Sequence, residues 1–404
     1  MATDVVCEAD YAERYRILTA LSYILFAMGP LVGNAVLTLL GAISSDFMIN
    51  PTAVLIAIPA FMFPFAIIQL FSGALSDMYG RIPVIVVGLV GFSIGLLLTA
   101  VSQTVETFAL GNFLSGVGFG FVNPVLLALL SDCAPPQDIP KRMGIASALG
   151  SLSVGLGPFI AGQMLVLGWS SYYIMFVFVA IIGLVAISIA VRPPVHNIER
   201  AGVRVLLHNL RLELKRPVVM VLLASSFFVA LTYLGTLIWT SRGLTGSLDE
   251  GLIGIILLGG GIVGSILGFL LGAIIRRFGL RVPFIMAMLS LFTGLVILIS
   301  IEDLTSFGSL FPLQAGIIFV AGAGGLLLPL MITYSQILSP ERRGVLAGIV
   351  TFGFFLGSAL IPMIYEPFFI LSMQWLYFSI LAVGILLLLS VTVLYRMADS
   401  SNSH

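Results

Sequence analysis

Twelve long apolar segments, separated by short polar connections, make up most of the sequence. They begin near residues 17, 52, 83, 107, 143, 171, 218, 251, 282, 310, 344 and 373. A helix that crosses a bilayer needs about 20 apolar residues, so twelve such helices use about 240 of the 404 residues. Barrel strands would be about 10 residues long and would alternate in polarity, which these segments do not. The sequence therefore predicts an all-α membrane protein with twelve transmembrane helices.

The composition argues against a water-soluble fold. Hydrophobic residues make up 59% of the chain and charged residues only 9%, and the mean hydropathy is +1.17. Soluble proteins carry roughly 25% charged residues, because they must keep a solvated surface. We therefore expect the lipid bilayer to be the main partner of this surface.

Basic residues fall on one side of the predicted topology. All of the 18 Lys and Arg residues except Arg242 lie in segments that a twelve-helix count places on the same side as both termini. Acids gather on the other side, at Asp46, Glu106, Asp249, Glu250, Glu302, Asp303 and Glu366. Because cytoplasmic connections are rich in Lys and Arg, we expect a multi-pass plasma-membrane protein with both termini in the cytoplasm. The net charge of zero gives no indication of a nucleic-acid partner.

A polar turn recurs about half a chain apart. Residues 73–81 read Gly-Ala-Leu-Ser-Asp-Met-Tyr-Gly-Arg, and residues 272–281 carry a degraded copy. The pairs Lys141-Arg142 and Arg342-Arg343 show the same separation, and each precedes a Gly-rich segment. Two separate markers at one spacing indicate an internal duplication.

The duplication divides the chain into two six-helix bundles. We expect a cytoplasmic segment at 1–16, bundles at 17–192 and 218–396, a central loop at 193–217 and a cytoplasmic tail at 397–404. Within the loop, residues 203–214 have the pattern of an amphipathic helix at the lipid surface, and a simple linker is the alternative. Two bundles of this kind can rock about a site held between them, as a carrier requires.

The first copy of the turn resembles a signature of the major facilitator superfamily. Gly73, Leu75, Asp77, Gly80 and Arg81 match that family's loop between helices 2 and 3. The resemblance covers essentially the whole chain and implies transport by alternating access. Gly80 lets the chain turn sharply, and an acid and an arginine at this spacing can form charge-assisted contacts. We therefore expect Gly73, Asp77, Gly80 and Arg81 to form a conformational latch.

The latch is expected to be asymmetric between the two halves. Met78 and Ile82 stand where the family often has basic residues, and Arg276 takes the place of the acid in the second copy. The first half should therefore carry most of the latch.

The fifth apolar segment carries a second match, at Gly150, Gly155, Gly157, Pro158 and Gly162. These residues resemble the glycine-proline motif of the exporters and antiporters of the superfamily. Glycines at such spacing let helices approach closely, and a proline bends the helix. The motif favours efflux.

No charged residue or histidine lies near the middle of any predicted helix. A charge at a helix centre costs about 2.5–3.5 kcal/mol, so carriers keep one only for a task. The family's coupling arginine on helix 4 is replaced here by Asn112. Transport is then either uncoupled or driven by protons carried on acids at the outer helix ends, namely Asp46, Asp249, Glu250 and Glu366.

An uncharged pathway favours lipophilic or amphipathic cargo held by apolar walls and a few hydrogen-bonding groups. The polar candidates for binding this small-molecule substrate are Asn34, Gln69, Asn112, Asn123, Gln163, Thr232, Tyr233, Thr236 and Gln314. Each could instead bond to a neighbouring helix. Trp239 and Trp375 are predicted at the outer membrane boundary, where tryptophan anchors to headgroups.

The sequence shows no catalytic machinery. It has no intramembrane Ser–His pair, paired aspartates or zinc-ligand cluster, and no phosphate-binding Gly-Lys-Ser/Thr loop. We therefore predict a non-enzymatic, monomeric secondary active transporter without catalytic residues, cofactor or metal, which exports lipophilic or amphipathic molecules in a multidrug-efflux manner. The alternatives are an uncoupled facilitator or importer of a neutral metabolite, and a lipid-moving carrier of the same fold.

Overall fold

A computed structural model describes residues 15–190, 203–304, 306–338 and 343–401. Twelve of its helices are long and apolar enough to cross a membrane, which confirms the predicted fold class. They are α1 Arg16–Phe47, α2 Ala57–Tyr79, α3 Arg81–Ala100, α4 Val105–Asp132, α5 Ile139–Met164, α6 Trp169–Ile189, α7 Pro217–Leu244, α8 Glu250–Phe278, α9 Arg281–Ile299, α10 Leu310–Leu338, α11 Arg343–Leu371 and α12 Met373–Ser401. A short turn, Pro51–Val54, precedes α2.

The two copies of the polar turn have the same backbone geometry. Gly80 ends α2 with φ of 93°, and Gly279 ends α8 with φ of 75°. Side chains with a Cβ rarely adopt this left-handed region, so glycine is what lets each helix stop and the next begin within one or two residues. The duplication seen in the sequence is therefore repeated in the backbone.

The structure changes one predicted boundary and places a helix in the central connection. The last helix continues to Ser401, so residues 397–401 extend α12, whereas the sequence predicts a tail there. The central connection contains a helix, Val203–Glu213, as the amphipathic pattern predicts. This connecting helix contacts both α2 and α11. The predicted segment before Tyr15 and residues 193–202 lie outside the described residues.

Each half is held together by close backbone contact at glycines. In the first half, a Cβ added at Gly118 of α4 would lie 2.7 Å from the Gly88 carbonyl oxygen of α3. In the second half, a Cβ at Gly294 of α9 would lie 2.8 Å from the Gly316 carbonyl oxygen of α10. Lipid tails are as apolar as the helices, so the hydrophobic effect does not drive the helices together. Close packing at small residues is therefore a main source of helix association in the membrane.

The halves meet along two helix pairs, α5 with α8 and α2 with α11, and α1 also approaches α7. We call the end of the molecule where α1 begins and α2 ends the basic end, because Arg81, Lys141, Arg142 and Arg276 lie there. The opposite end, where α1 ends and α8 begins, is the acidic end.

The glycine contact between α3 and α4 gives a first prediction. Gly118→Ala should lower the free energy of unfolding by about 1–3 kcal/mol, because the new methyl group has no space against the α3 backbone. Gly91→Ala is the matched control, since a Cβ there lies 3.4 Å from its nearest neighbour, the Gly118 Cα. Thermal unfolding in detergent measures both. Equal midpoints for the two variants would contradict the packing described here.

Candidate functional site

The space between the two halves is the candidate transport site, and α5 forms much of its seam. A Cβ on Gly155 would lie 2.5 Å from the Leu257 carbonyl oxygen of α8, and one on Gly162 would lie 2.7 Å from the Glu250 carbonyl oxygen. Gly157 faces α1 instead, with the Leu31 Cα at 3.0 Å from such a Cβ. The glycines of this motif therefore let α5 lie directly against α1 and α8.

The remaining members of the motif make weaker contacts. A Cβ on Gly150 would meet only the Phe26 ring, at 3.6 Å, an ordinary packing distance. Pro158 lies inside α5, and its carbonyl oxygen accepts a hydrogen bond from Thr38 Oγ1 at 2.8 Å. This bond ties α5 to α1 within the first half.

The seam between α5 and α8 widens toward the basic end. Near the middle, a Cβ on Gly268 would lie 3.8 Å from Ser151 Oγ. Closer to the basic end, a Cβ on Gly144 of α5 would meet no described atom within 4 Å, and one on Gly272 of α8 would meet only Arg276 of its own helix. The two helices thus diverge toward the basic end. We call the widening space between α5 and α8 at that end the fork.

Polar bonds close the acidic end. Arg242 Nε donates to Thr52 Oγ1 at 2.9 Å, and its Nη2 donates to Asn50 Oδ1 at 3.2 Å. The guanidinium also lies 5.3 Å from the centroid of the Phe369 ring. We call Arg242, Asn50 and Thr52 the clasp, because these bonds join α7 to the connection between α1 and α2.

Two further bonds cross between the halves beside the clasp. The Ser241 hydroxyl donates to the carbonyl oxygen of Leu37, and Gln163 Nε2 donates to the Gly251 carbonyl oxygen at 3.3 Å. All of these acceptors are uncharged oxygens. The acidic end is therefore closed by hydrogen bonds to neutral groups.

The predicted latch residues lie at the basic end, and their bonds stay within the first half. Arg81 Nη1 bonds to Asp77 and to Ser76 Oγ, the latter at 2.6 Å, while its Nε donates to Asp132 Oδ2 at 3.0 Å. In this conformation Arg81 ties α2, α3 and α4 together. A Cβ on Gly73 would meet no described atom within 4 Å, which matches an open basic end.

Sequence reasoning missed Asp132 as a partner of Arg81. It is the last residue of α4, 51 positions from Arg81 along the chain. An isolated acid at a helix end carries no pattern of its own, and only the packing of α3 against α4 brings it to the arginine.

The nine polar candidates do not form one cluster. Four of them donate to carbonyl oxygens of their own helices, at 2.7–3.1 Å: Asn34 to Pro30, Asn112 to Phe108, Thr232 to Phe228 and Val229, and Thr236 to Thr232. Gln314 Nε2 donates to the Ile256 carbonyl oxygen of α8 at 3.2 Å. The Tyr233 ring packs directly against Gly324 of α10.

Gln69 differs from the other candidates because its amide lacks a partner. Its side chain is buried, and Nε2 makes no hydrogen bond within the described residues. A buried donor without a partner costs about 1–3 kcal/mol, which a bound ligand could recover. Contacts of Gly120 with Phe65 and Ile68 set the register of α2 against α4, and this register places Asn123 at the level of Gln69.

Gln69 also lies at the seam with the second half. The rings of Phe65 and Phe355 meet at 4.5 Å between centroids, and Leu70 lies 3.8 Å from a Cβ on Gly348. Between these two contacts, Thr351 of α11 stands level with Gln69. No pattern in the sequence singles out Thr351, since it is one of many hydroxyl-bearing residues in the apolar segments. Its Oγ1 donates to the carbonyl oxygens of Ala347 and Gly348 in its own helix, both at 3.1 Å.

The four candidate coupling acids have different surroundings. Asp46 Oδ2 accepts from Trp169 Nε1 at 2.6 Å, Asp249 caps the start of α8 by accepting from the Leu252 amide, and Glu366 is exposed on α11. Glu250 has its carboxylate against the opposite half, where a Cβ on Gly41 would lie 2.6 Å from Oε1.

The two tryptophans that the sequence predicts at the membrane boundary, Trp239 and Trp375, differ in exposure. Trp239 is fully buried, donates to the Ile361 carbonyl oxygen at 3.4 Å and packs on Phe369, so its predicted role as a headgroup anchor is wrong. Trp375 is 59% exposed, as such an anchor requires. Trp239 instead supports the ring over which the Arg242 guanidinium lies.

Comparison with known proteins gives matches over most of the chain. The family model described as Major Facilitator Superfamily matches residues 17–362. The MFS-type transporter YceJ of Bacillus subtilis (strain 168) is 26% identical over 309 residues, which cover 74% of this chain and 76% of that protein. Multidrug resistance protein 1 of the same strain is 25% identical over 353 residues, with 85% and 88% covered.

A solved structure shows the same fold. The nucleoside transporter NupG superposes with a TM-score of 0.75 at 13% identity, covering 94% of this chain and 99% of that one. At this identity the likeness concerns the fold alone.

The clasp gives a second prediction. Arg242→Gln removes the charge-assisted bonds to Asn50 and Thr52, so the acidic end should open more often. Labelling of a cysteine placed at Leu37, which is 1% exposed beneath the clasp, should become about tenfold faster.

The labelling experiment has a matched control and a low background. Arg277→Gln removes an arginine that also lies over a phenylalanine, but one of its own helix. Cys7 is replaced by serine, and burial raises the pKa of the Cys133 thiol to about 12, so Cys133 reacts little. Equal labelling rates in the two variants would refute the clasp.

Proposed function

Because this chain belongs to the major facilitator superfamily of transporters, which are not enzymes, we propose that it exports lipophilic or amphipathic small molecules by alternating access. The observation that carries the proposal is the contrast between the two ends of the seam. Hydrogen bonds close the acidic end, while α5 and α8 diverge at the basic end. A carrier that rocks two halves about a central site must pass through a state of this kind.

The charge asymmetry orients this state in the membrane. Under the positive-inside rule, the basic end lies in the cytoplasm. The pathway is then closed to the outside and accessible from the cytoplasm, which is the state in which an exporter takes up its cargo.

The chemistry of the seam supports apolar cargo. Gln69 offers an unpaired amide donor beside the rings of Phe65 and Phe355, and Asn123 and Thr351 lie at its level on α4 and α11. The Thr351 hydroxyl donates to its own helix, so it offers its oxygen as an acceptor. A site of apolar walls with a few polar groups binds amphipathic molecules without requiring a charge. The similarity to a multidrug resistance protein over 85% of the chain points in the same direction.

A second candidate is an uncoupled facilitator or importer of a neutral metabolite. The absence of charged side chains near the middle of the spanning helices favours it, because proton-driven carriers usually keep a titrating group in the pathway. A lipid-moving carrier of the same fold would use the same apolar seam. Proton coupling and a monomeric state remain part of the proposal.

Cellular accumulation of a fluorescent lipophilic dye tests the export proposal. Cells that express the protein should accumulate less dye than cells that express Arg242→Gln, and a proton uncoupler should abolish the difference if export is driven by protons. Accumulation that does not change on expression would reject export. A difference that persists with the uncoupler would exclude protons as the driving ion.

The position of Glu250 gives a third prediction. Glu250→Gln should abolish the dependence of export on the proton gradient, because this carboxylate lies in the seam and changes its surroundings when the acidic end opens. Glu366→Gln is the control, since Glu366 is exposed on α11. Dye efflux from proteoliposomes with an imposed pH gradient measures both. A gradient dependence retained by Glu250→Gln would exclude this residue as the coupling group.

The junction at Arg81 gives a fourth prediction. Asp77→Asn weakens the contact of Arg81 with α2, and we expect the maximal transport rate to fall about five- to tenfold with little change in the apparent affinity for cargo. Asp138→Asn, an exposed acid at the same end, should leave the rate unchanged. A loss of affinity at an unchanged rate would place Asp77 in cargo binding instead.

A further inference from the structure

A cavity of about 270 Å³ lies at the basic end, between the beginnings of α1 and α5. Its lining consists of Arg16, Thr19, Ala20, Tyr23 and Arg142. One water molecule takes up about 30 Å³ in the liquid, so the cavity can hold an oxyanion with several waters. Both charged side chains among these described lining residues are positive.

The hydrogen bonds of the cavity fix one of its two guanidinium groups. Arg142 Nη1 donates to Thr19 Oγ1 at 2.9 Å, and the Tyr23 hydroxyl donates to the Arg142 carbonyl oxygen at 3.3 Å. These bonds hold the start of α5 against α1, and most of the Arg142 N–H groups make no bond to another described side chain. The guanidinium is thus oriented before any ligand arrives, which lowers the entropy lost on binding.

Arg16 supplies the second charge and makes no hydrogen bond or ion pair with another described residue. Two arginines that face one cavity with no acid among its described lining residues repel each other, and an anion between them removes that repulsion. Arginine binds phosphate and carboxylate groups through paired N–H donors, so the geometry of the ligand is also defined.

The cavity lies where the pathway meets the membrane surface. Thr19 and Tyr23 precede Leu37 by about five and about four helical turns, so they share the face of α1 that meets the second half at Ser241. Arg16 is the first residue of α1, and Arg142 lies in the first turn of α5. The cavity therefore opens at the mouth of the fork between the halves.

We propose that this cavity is a binding site for an oxyanion, a phosphate or carboxylate group presented at the basic-end mouth of the pathway. The group can come from the headgroup of an anionic phospholipid or from a soluble anion. The site does not depend on the direction of transport or on the cargo, so its test is a binding measurement.

The experiment uses the purified full-length protein after lipid removal. Native mass spectrometry measures the retention of phosphatidylglycerol and of phosphatidylcholine, and inorganic phosphate is added as a soluble competitor. The variants are Arg16→Gln, which breaks no described bond, and Arg16→Lys, which keeps the charge. Arg211→Gln is the control, because Arg211 is an exposed arginine of the connecting helix at the same end.

The wild-type protein should prefer phosphatidylglycerol, and Arg16→Gln should lower its retention about fivefold, because one of the two arginines that contact the anion is lost. Arg16→Lys should retain part of the preference, and Arg211→Gln all of it. Phosphate that binds in an Arg16-dependent manner without any lipid preference would assign the site to a soluble anion. Equal binding of both lipids together with no Arg16-dependent phosphate binding would overturn the proposal.

Discussion

The hydrocarbon of the bilayer offers no hydrogen-bond partner, and most of this structure follows from that constraint. Every spanning segment is helical, because a helix satisfies its own backbone groups. Polar side chains inside the helices follow the same rule, since Thr232, Thr236 and Asn34 donate to carbonyl oxygens of their own helices. Few polar groups are left to tie one helix to another, and packing at glycines takes over that task.

This division of tasks separates rigid contacts from reversible ones. Within each half, backbones touch at Gly88 and Gly118 and again at Gly294 and Gly316, and these contacts cannot part without opening a void. Between the halves, Gly155 and Gly261 meet as smooth surfaces, and a few hydrogen bonds join the acidic end. Such bonds are worth about 0.5–1.5 kcal/mol each, or up to about 3 kcal/mol when charged. A seam of this strength can open and close, whereas the halves stay intact.

The sequence predicts the coarse architecture well, because hydropathy, the positions of charges and an internal repeat determine that architecture. Twelve segments, two halves and an amphipathic connecting helix follow from local patterns, and the contact between Asp77 and Arg81 is one of those that their spacing allows. The turn glycines, Gly80 and Gly279, are recognisable in the sequence because both lie in the repeated polar turn. In the structure each ends a helix with a positive φ.

The site could not be predicted to the same degree, because its helices are apolar on every face. Periodicity then does not show which side faces the seam, and so the sequence predicts Trp239 at the membrane boundary although it is buried. Partners distant in sequence, such as Asp132 for Arg81 and Thr52 for Arg242, depend on helix packing that no local pattern records. The unpaired amide of Gln69 likewise becomes visible only when its neighbours are in place.

The central claim is that opening of one end accompanies closure of the other, and distances between paired spin labels test it most directly. One pair, at Met48 and Ser247, spans the acidic end between the halves, and a second pair, at Lys141 and Phe278, spans the fork at the basic end; all four residues are exposed. Pulsed electron paramagnetic resonance with and without cargo should show the first distance lengthening in the same fraction of molecules in which the second shortens. Distances that change in the same sense at both ends, or at neither end under any condition that supports transport, would contradict the account.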